Sequence, residues 1–142
     1  MFTLKTYNGQ LPARNCIFIL NKGYNAGKPS HKPFTNSFVL TTKSEDEAQF
    51  YYFLCQALWK AKQFRQLLIG SVILFIRKDD LCKEIHKYDK ALLNKSGFLK
   101  TVKTALQIEK LIAEKRQQLN KMEELKSAML INGIYKIANE QQ

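Results

Sequence analysis

Polar and apolar residues alternate from the first positions of the chain. Phe2, Leu4 and Thr6 fall on one side of a pleated strand and their polar neighbours on the other, which predicts a half-buried β-strand. Two further runs, residues 16–20 (Cys-Ile-Phe-Ile-Leu) and residues 37–42, are short and rich in β-branched and aromatic side chains, and each predicts a strand. Between them lie Asn21, Gly23, Asn25, Gly27, Pro29 and Pro33, residues that break regular hydrogen bonding, so residues 21–33 read as an exposed loop.

The period then changes. Ser44-Glu45-Asp46-Glu47 has the spacing of a capping box, in which Ser44 accepts from the Glu47 amide and the Glu47 side chain reaches back. A helix is expected from there to about residue 68. Its apolar residues, among them Phe50, Tyr51, Phe53, Leu54, Leu58, Trp59 and Phe64, cover more than one stripe, so it should be buried on two sides. Gly70 ends it, and residues 71–76 predict a buried strand, with Val72 and Phe75 joining Phe53, Leu58 and Trp59 in the core. Asp79 or Asp80 is placed to cap a helix running to about residue 93.

Residues 97–131 contain no proline and favour one long helix. Phe98, Ala105, Ile112 and Leu119 are spaced seven apart, and Ile108, Met122 and Met129 fall three residues after positions of that series. Lys115 and Lys126 interrupt this seam. It fits an amphipathic helix packed along its own domain and a coiled coil alike. The expected fold is therefore α+β: a small β-sheet with a buried aromatic-rich helix, followed by a long C-terminal helical arm. Residues 1–94 would form the α+β domain and residues 95–142 the arm.

Charge adds a second layer. The chain has 142 residues, 45% of them hydrophobic, which is enough for one compact core, and 23 basic against 12 acidic residues give a net charge of +11. Residues 1–44 hold Lys5, Arg14, Lys22, Lys28, Lys32 and Lys43 and no acid, whereas the three acids of residues 45–69 balance its three bases. Such a front segment attracts polyanions. Lys22, Lys28 and Lys32 can meet phosphates, and Tyr24, Asn25 and His31 can stack on bases or hydrogen-bond to them.

Catalytic and metal chemistry find little support. Cys16, Cys55 and Cys82 form no Cys-x-x-Cys pair, and with only His31 and His86 to join them no metal site and no cofactor is expected. Gly23-Tyr24-Asn25-Ala26-Gly27-Lys28 is one residue short of a phosphate-binding loop, and Pro29 and Pro33 forbid the helix such a loop needs. Asp79 and Asp80 point apart on a helix, His86 reads as a solvated surface residue, and no nucleophile elbow occurs, so a non-enzyme is expected. The first residues lack the apolar stretch of a signal peptide. The longest apolar run, residues 67–76, is too short to span a bilayer, so a cytoplasmic protein without a membrane partner is expected.

Three stretches carry a resemblance: Asn36-Ser37-Phe38-Val39-Leu40, Phe50-Tyr51-Tyr52-Phe53-Leu54, and the Gly70-Ser71 strand leading to Lys78-Asp79-Asp80-Leu81. In this order they resemble the closing half of a target recognition domain from type I restriction–modification specificity subunits. Residues 108–136, notably Leu125-Lys126-Ser127-Ala128-Met129-Leu130, are similar to the long helices that end such half-subunits. The chain also resembles a group of short Bacteroidetes proteins without an assigned activity. The first resemblance implies a non-catalytic module that binds double-stranded DNA. Lys22, Tyr24, Lys28, His31 and Lys32 would contact the DNA, and Lys43, Arg77 and Lys78 would anchor phosphates. It also implies a homodimer joined through Ile108, Ile112, Leu119, Met122 and Met129. The alternative is a protein-interaction module whose helical arm binds a partner protein.

Overall fold

The computed structural model describes residues 2–10, 15–92 and 96–139. Four strands form one antiparallel sheet in the order β1-β4-β2-β3, with β1 at Thr3–Thr6, β2 at Cys16–Leu20, β3 at Pro29–Ser30 and β4 at Ser37–Thr41. Cys16 faces Thr41 and Leu20 faces Ser37 across the central pair, and Thr6 faces Phe38 on the other side of β4. Ile17, Phe18 and Ile19 are buried in succession, as are Ser37, Phe38, Val39 and Leu40. Consecutive burial means that both faces of the sheet are covered at its centre. Pro29 sits on the edge strand, where a missing N–H breaks no ladder.

Helix α1 (Glu45–Lys60) starts at the expected cap: the Glu47 N–H donates to Ser44 Oγ at 3.2 Å. The return bond runs one residue further back than a standard box, from the Lys43 N–H to Glu47 Oε2. The helix stops at Lys60, short of the expected residue 68. Ala61 and Lys62 donate to the carbonyls of Ala57 and Trp59, and Lys62 turns into the left-handed region (φ 61°, ψ 17°). A 3₁₀ turn, Gln63–Leu67, takes the chain away in a new direction. Buried apolar positions on α1 include Ala48, Phe50, Tyr51, Phe53, Leu54, Cys55 and Leu58, a face wide enough to meet more than one neighbour.

The neighbours are identified by ring contacts. Tyr51 meets Phe2 edge-on at 4.8 Å and Phe50 at 5.2 Å, and Phe50 meets Phe98 at 5.4 Å. Phe2 also stacks on His86 at 4.5 Å, so the expectation of a merely solvated His86 is corrected. These rings join the chain ahead of β1 to α1, to helix α2 (Lys78–Leu92) and to the start of helix α3 (Ser96–Asn139). Leu81 and Ile85 are the fully buried side chains of α2 among the described residues. Asp79 and Asp80 lie inside its first turn and not ahead of it, where they favour the helix dipole without acting as the cap.

Residues 71–76 do not form the buried strand that their composition suggests. They contribute to a hairpin of two-residue strands, β5 (Leu68–Ile69) and β6 (Phe75–Ile76), with Val72 93% exposed, Ile73 62% and Phe75 38%. The cause is Gly70. Its φ of +110° starts a tight turn, and a Cβ there would run into the Ile73 carbonyl oxygen.

The fold is α+β, with a small antiparallel sheet, an aromatic cluster and a long C-terminal helix. It divides into two units, Met1–Val102 and Lys103–Gln142. Phe98 and the buried Val102 tie the first turns of α3 to the first unit. The expected boundary at 94/95 lies outside the described residues.

The hairpin assignment leads to a contrast in stability. Val72→Asp is expected to shift unfolding free energy by no more than about 0.5 kcal/mol, as an exposed site should. Leu81→Ala, at a buried site, should cost about 2–5 kcal/mol. Urea denaturation of both variants checks this; a large loss for Val72→Asp would return that residue to the core.

Candidate functional site

Residues 21–30 are held in place by their backbone. Leu20 donates to the Lys28 carbonyl at 3.0 Å, and Gly27 donates back to Leu20 at 2.7 Å. Ala26 donates to Gly23 and Lys28 to Asn25 within the loop. Gly23 donates to Leu74 and Ile76 donates to Asn21, which fastens the loop to the β5–β6 hairpin. Ala26, Gly27 and Pro29 are buried, so the expectation of a wholly exposed loop without regular structure is corrected on both counts. Gly27 (φ +93°) makes the closest approach: an added Cβ would lie 2.6 Å from Phe64 Cδ2.

This anchoring lays the loop against α1 and the 3₁₀ turn. His31 stacks on Tyr52 with ring centroids 4.0 Å apart. Lys28 Nζ lies 5.7 Å from the Trp59 ring, and the Arg65 guanidinium lies 5.0 Å from the Tyr24 ring. Tyr52 and Trp59 are seven residues apart, two turns along one helix face and about 10 Å of axis. The loop runs the opposite way, so Tyr24, Lys28 and His31 meet Arg65, Trp59 and Tyr52 in turn. Each exposed cation–ring contact is worth only about 0.5–1 kcal/mol. That suffices to orient the cations while leaving them open to an anion.

Beside the row, Tyr24, Asn25, Trp59, Lys60, Lys62 and Arg65 line a cleft of about 360 Å³ over the buried Ala26 and Phe64. No acidic residue is among the described residues that line it. Among the described residues, Lys28, Lys60, Lys62 and Arg65 make no ion pair; those present are Lys78–Asp79 and Lys87–Glu84. A second cleft of about 580 Å³ brings Lys22 beside Arg77, Lys78 and Lys83, with Asp79 and Asp80 also on its wall. The Lys22–Phe75 bridge creates this proximity. Asn21 Oδ1 is buried there without a hydrogen-bond partner.

The expected contact residues are thus distributed as follows. Lys22, Arg77 and Lys78 come together in the second cleft, and Tyr24, Lys28 and His31 share the row. Lys32 follows His31 on the exposed end of that row, its N–H bonded to Ser30 Oγ. Lys43 is apart: it follows β4 beyond the Cys16–Thr41 pair, at the opposite end of the sheet from Lys22. Sequence reasoning missed Tyr52, Lys60, Lys62 and Arg65 and placed Trp59 in the core, where it is only half-buried. Summing residues 45–69 to zero hid the signal, because Glu45, Asp46 and Glu47 stand at the start of α1 and the bases at its end, about 22 Å away.

The thiols offer no activated nucleophile. Burial pushes Cys55 far up, and burial raises Cys16 as well. Cys82 is raised by burial first and then by Asp79, with Lys78 opposing. Among the described residues no group of His, Cys, Asp or Glu is placed to hold a metal, and no helix is long and apolar enough to cross a membrane.

In the unit from Lys103 onward, Ile108, Ile112, Leu119, Met122 and Met129 are all exposed, joined by Leu111 and Leu125. They form two apolar patches, Ile108 to Leu119 and Met122 to Leu130.

A family model, described as a family of unknown function (DUF6943), matches residues 4–132. The chain belongs to the DUF6943 family. In this DUF6943 chain the matched span opens within β1 and closes within α3, so it includes the cation–ring row, both clefts and the exposed seam from Ile108 to Met129. No curated protein and no solved structure matches the chain.

Gly27→Ala tests the anchor of the site. The added methyl meets Phe64 and the backbone is left-handed, so a loss of about 1–3 kcal/mol is expected. An unchanged denaturation midpoint would show that Phe64 yields without cost.

Proposed function

We propose that this protein is a non-catalytic nucleic-acid-binding module that engages double-stranded DNA through the cation–ring row. The observation that carries the reading is the acid-free alignment of Lys28, Lys60, Lys62 and Arg65 with Tyr24, Trp59, His31 and Tyr52. Lys28 and Arg65, whose charged groups are held over rings, lose less freedom on meeting a phosphate than free side chains do. Lys22, Arg77, Lys78 and Lys83 supply a second set of anchors across the hairpin. The resemblance of residues 36–136 to a target recognition domain and its closing helix, read from the sequence alone, points the same way. Free thiols at Cys16, Cys55 and Cys82 fit a reducing compartment, and we place the protein in the cytoplasm on that ground.

Fluorescence anisotropy with a short labelled duplex tests it. For about five neutralised phosphates, the plot of log affinity against log salt should fall with a slope of about −4 to −5. Lys28→Glu combined with Arg65→Glu should make that slope shallower by about two and weaken binding. Absence of binding at low salt would remove the reading.

The second reading, association through the long helix, rests on the exposed seam of Ile108, Ile112, Leu119, Met122 and Met129. Its simplest occupant is a second copy of the chain, with two-fold symmetry. A parallel in-register pair would set Lys115 and Lys126 against their own copies, so an antiparallel pairing is favoured. Sedimentation at micromolar concentration should give a dimer, and Ile112→Lys with Met122→Lys should restore the monomer. A wild-type species of 16.5 kDa, unchanged on concentration, would reject self-association.

A further inference from the structure

We infer that the cleft beside Tyr24 and Trp59 is a subsite for one unstacked nucleotide, taking the base on its rings and the phosphate on its bases. This deepens the nucleic-acid reading and rests on it. The cleft has the size and the mixed lining of a small-ligand site: about 360 Å³, within the range of roughly 300–1,000 Å³ usual for such sites. Duplex binding requires phosphate anchors alone, and a row of surface lysines would provide them. It does not require an aromatic ring held open beside those cations.

Tyr24 supplies that ring. It is 66% exposed, yet its loop is fixed by the Gly23, Ala26, Gly27 and Lys28 hydrogen bonds, so the ring is presented by an ordered backbone. Arg65 lies over the ring and defines where a flat group and its phosphate would part company. Trp59 adds a half-buried second surface, and Asn25 brings an amide whose donor and acceptor suit a base edge. Lys62 is the least expected element. A non-glycine residue held in the left-handed region occurs where the surrounding structure imposes it, and here it turns the chain at the cleft rim between Lys60 and Arg65. Lys60, Lys62 and Arg65 therefore share the cleft lining with the rings, and no acid is among the described lining residues. Aromatic rings beside cations are the parts from which sequence-tolerant sites for unpaired nucleotides are made.

The chain contains a single tryptophan, Trp59, so its fluorescence reports on the cleft directly. Titration with adenosine 5′-monophosphate should quench it saturably. Ribose 5-phosphate, which lacks the base, and adenosine, which lacks the phosphate, should each bind at least about tenfold more weakly. Tyr24→Ala and Arg65→Glu, both at exposed positions, should each reduce the affinity for the nucleotide by about tenfold or more. On DNA, a duplex with an unpaired overhang should bind more tightly than a blunt one. Tyr24→Ala should remove that preference, so that the variant binds overhang and blunt duplexes equally.

The outcomes separate the two ideas. Blunt-duplex binding without saturable quenching at millimolar nucleotide overturns the subsite and leaves the row intact. Quenching without any duplex binding overturns the row and keeps the cleft as a nucleotide site. Equal quenching by ribose 5-phosphate and the full nucleotide reduces the cleft to an anion site and overturns the role given to Tyr24.

Discussion

Gly27 has no side chain, and the Phe64 ring occupies the room where one would stand. This contact joins two segments that each lack the means to hold a shape alone. The loop after β2 has too few residues in regular pairing, and the 3₁₀ turn after α1 has no capping side chain at its start. Pressed together, they bury Ala26, Gly27 and Phe64 and acquire the order of the core beneath. Tyr24, Lys28 and His31 inherit their positions from that contact, and so do Lys62 and Arg65 on the facing side.

Below this layer the aromatic cluster plays the corresponding part for the helices. Phe2, Phe50, Tyr51, His86 and Phe98 touch mainly edge to face, with His86 stacked, an arrangement that aromatic rings favour. The arrangement also sorts charge. The acids of α1 are gathered at its first turn, where they suit the helix dipole and close the capping box. The end of the helix is left to Lys60, with Lys62 and Arg65 following it. A charge sum of zero over the segment becomes a dipolar element with a basic pole at the cleft.

Much of the architecture was legible because its signals are local. The strands at residues 16–20 and 37–41, the Ser44 cap and the long final helix each depend on short-range periodicity or on one capping side chain. The departures have a common origin in glycine and left-handed geometry. Residues 71–76 carry the composition of a buried strand, yet Gly70 turns the chain before they can enter the core, and Val72 is left in solvent. Lys62 ends α1 at a position where nothing in its side chain forecasts a left-handed turn. Of the site, Lys22 with Arg77 and Lys78, and Tyr24 with Lys28 and His31, were recognisable as candidates. Their partners Tyr52, Trp59 and Arg65 were hidden, because the pairing of a loop with a helix some thirty residues later is a tertiary fact.

The outer strands of the sheet bear on how such a chain behaves when crowded. An open sheet offers unpaired N–H and C=O groups along its edges, and a protein drawn to a polyanion is concentrated beside its own copies. One edge here is β3, two residues long and opened by Pro29, which cannot donate to an incoming strand. The other is β1, which carries the exposed Lys5 in its middle, and two such strands brought side by side would set like charges together. Both margins thus resist the edge-to-edge growth that leads to fibrils, and many copies can lie side by side without their sheets merging.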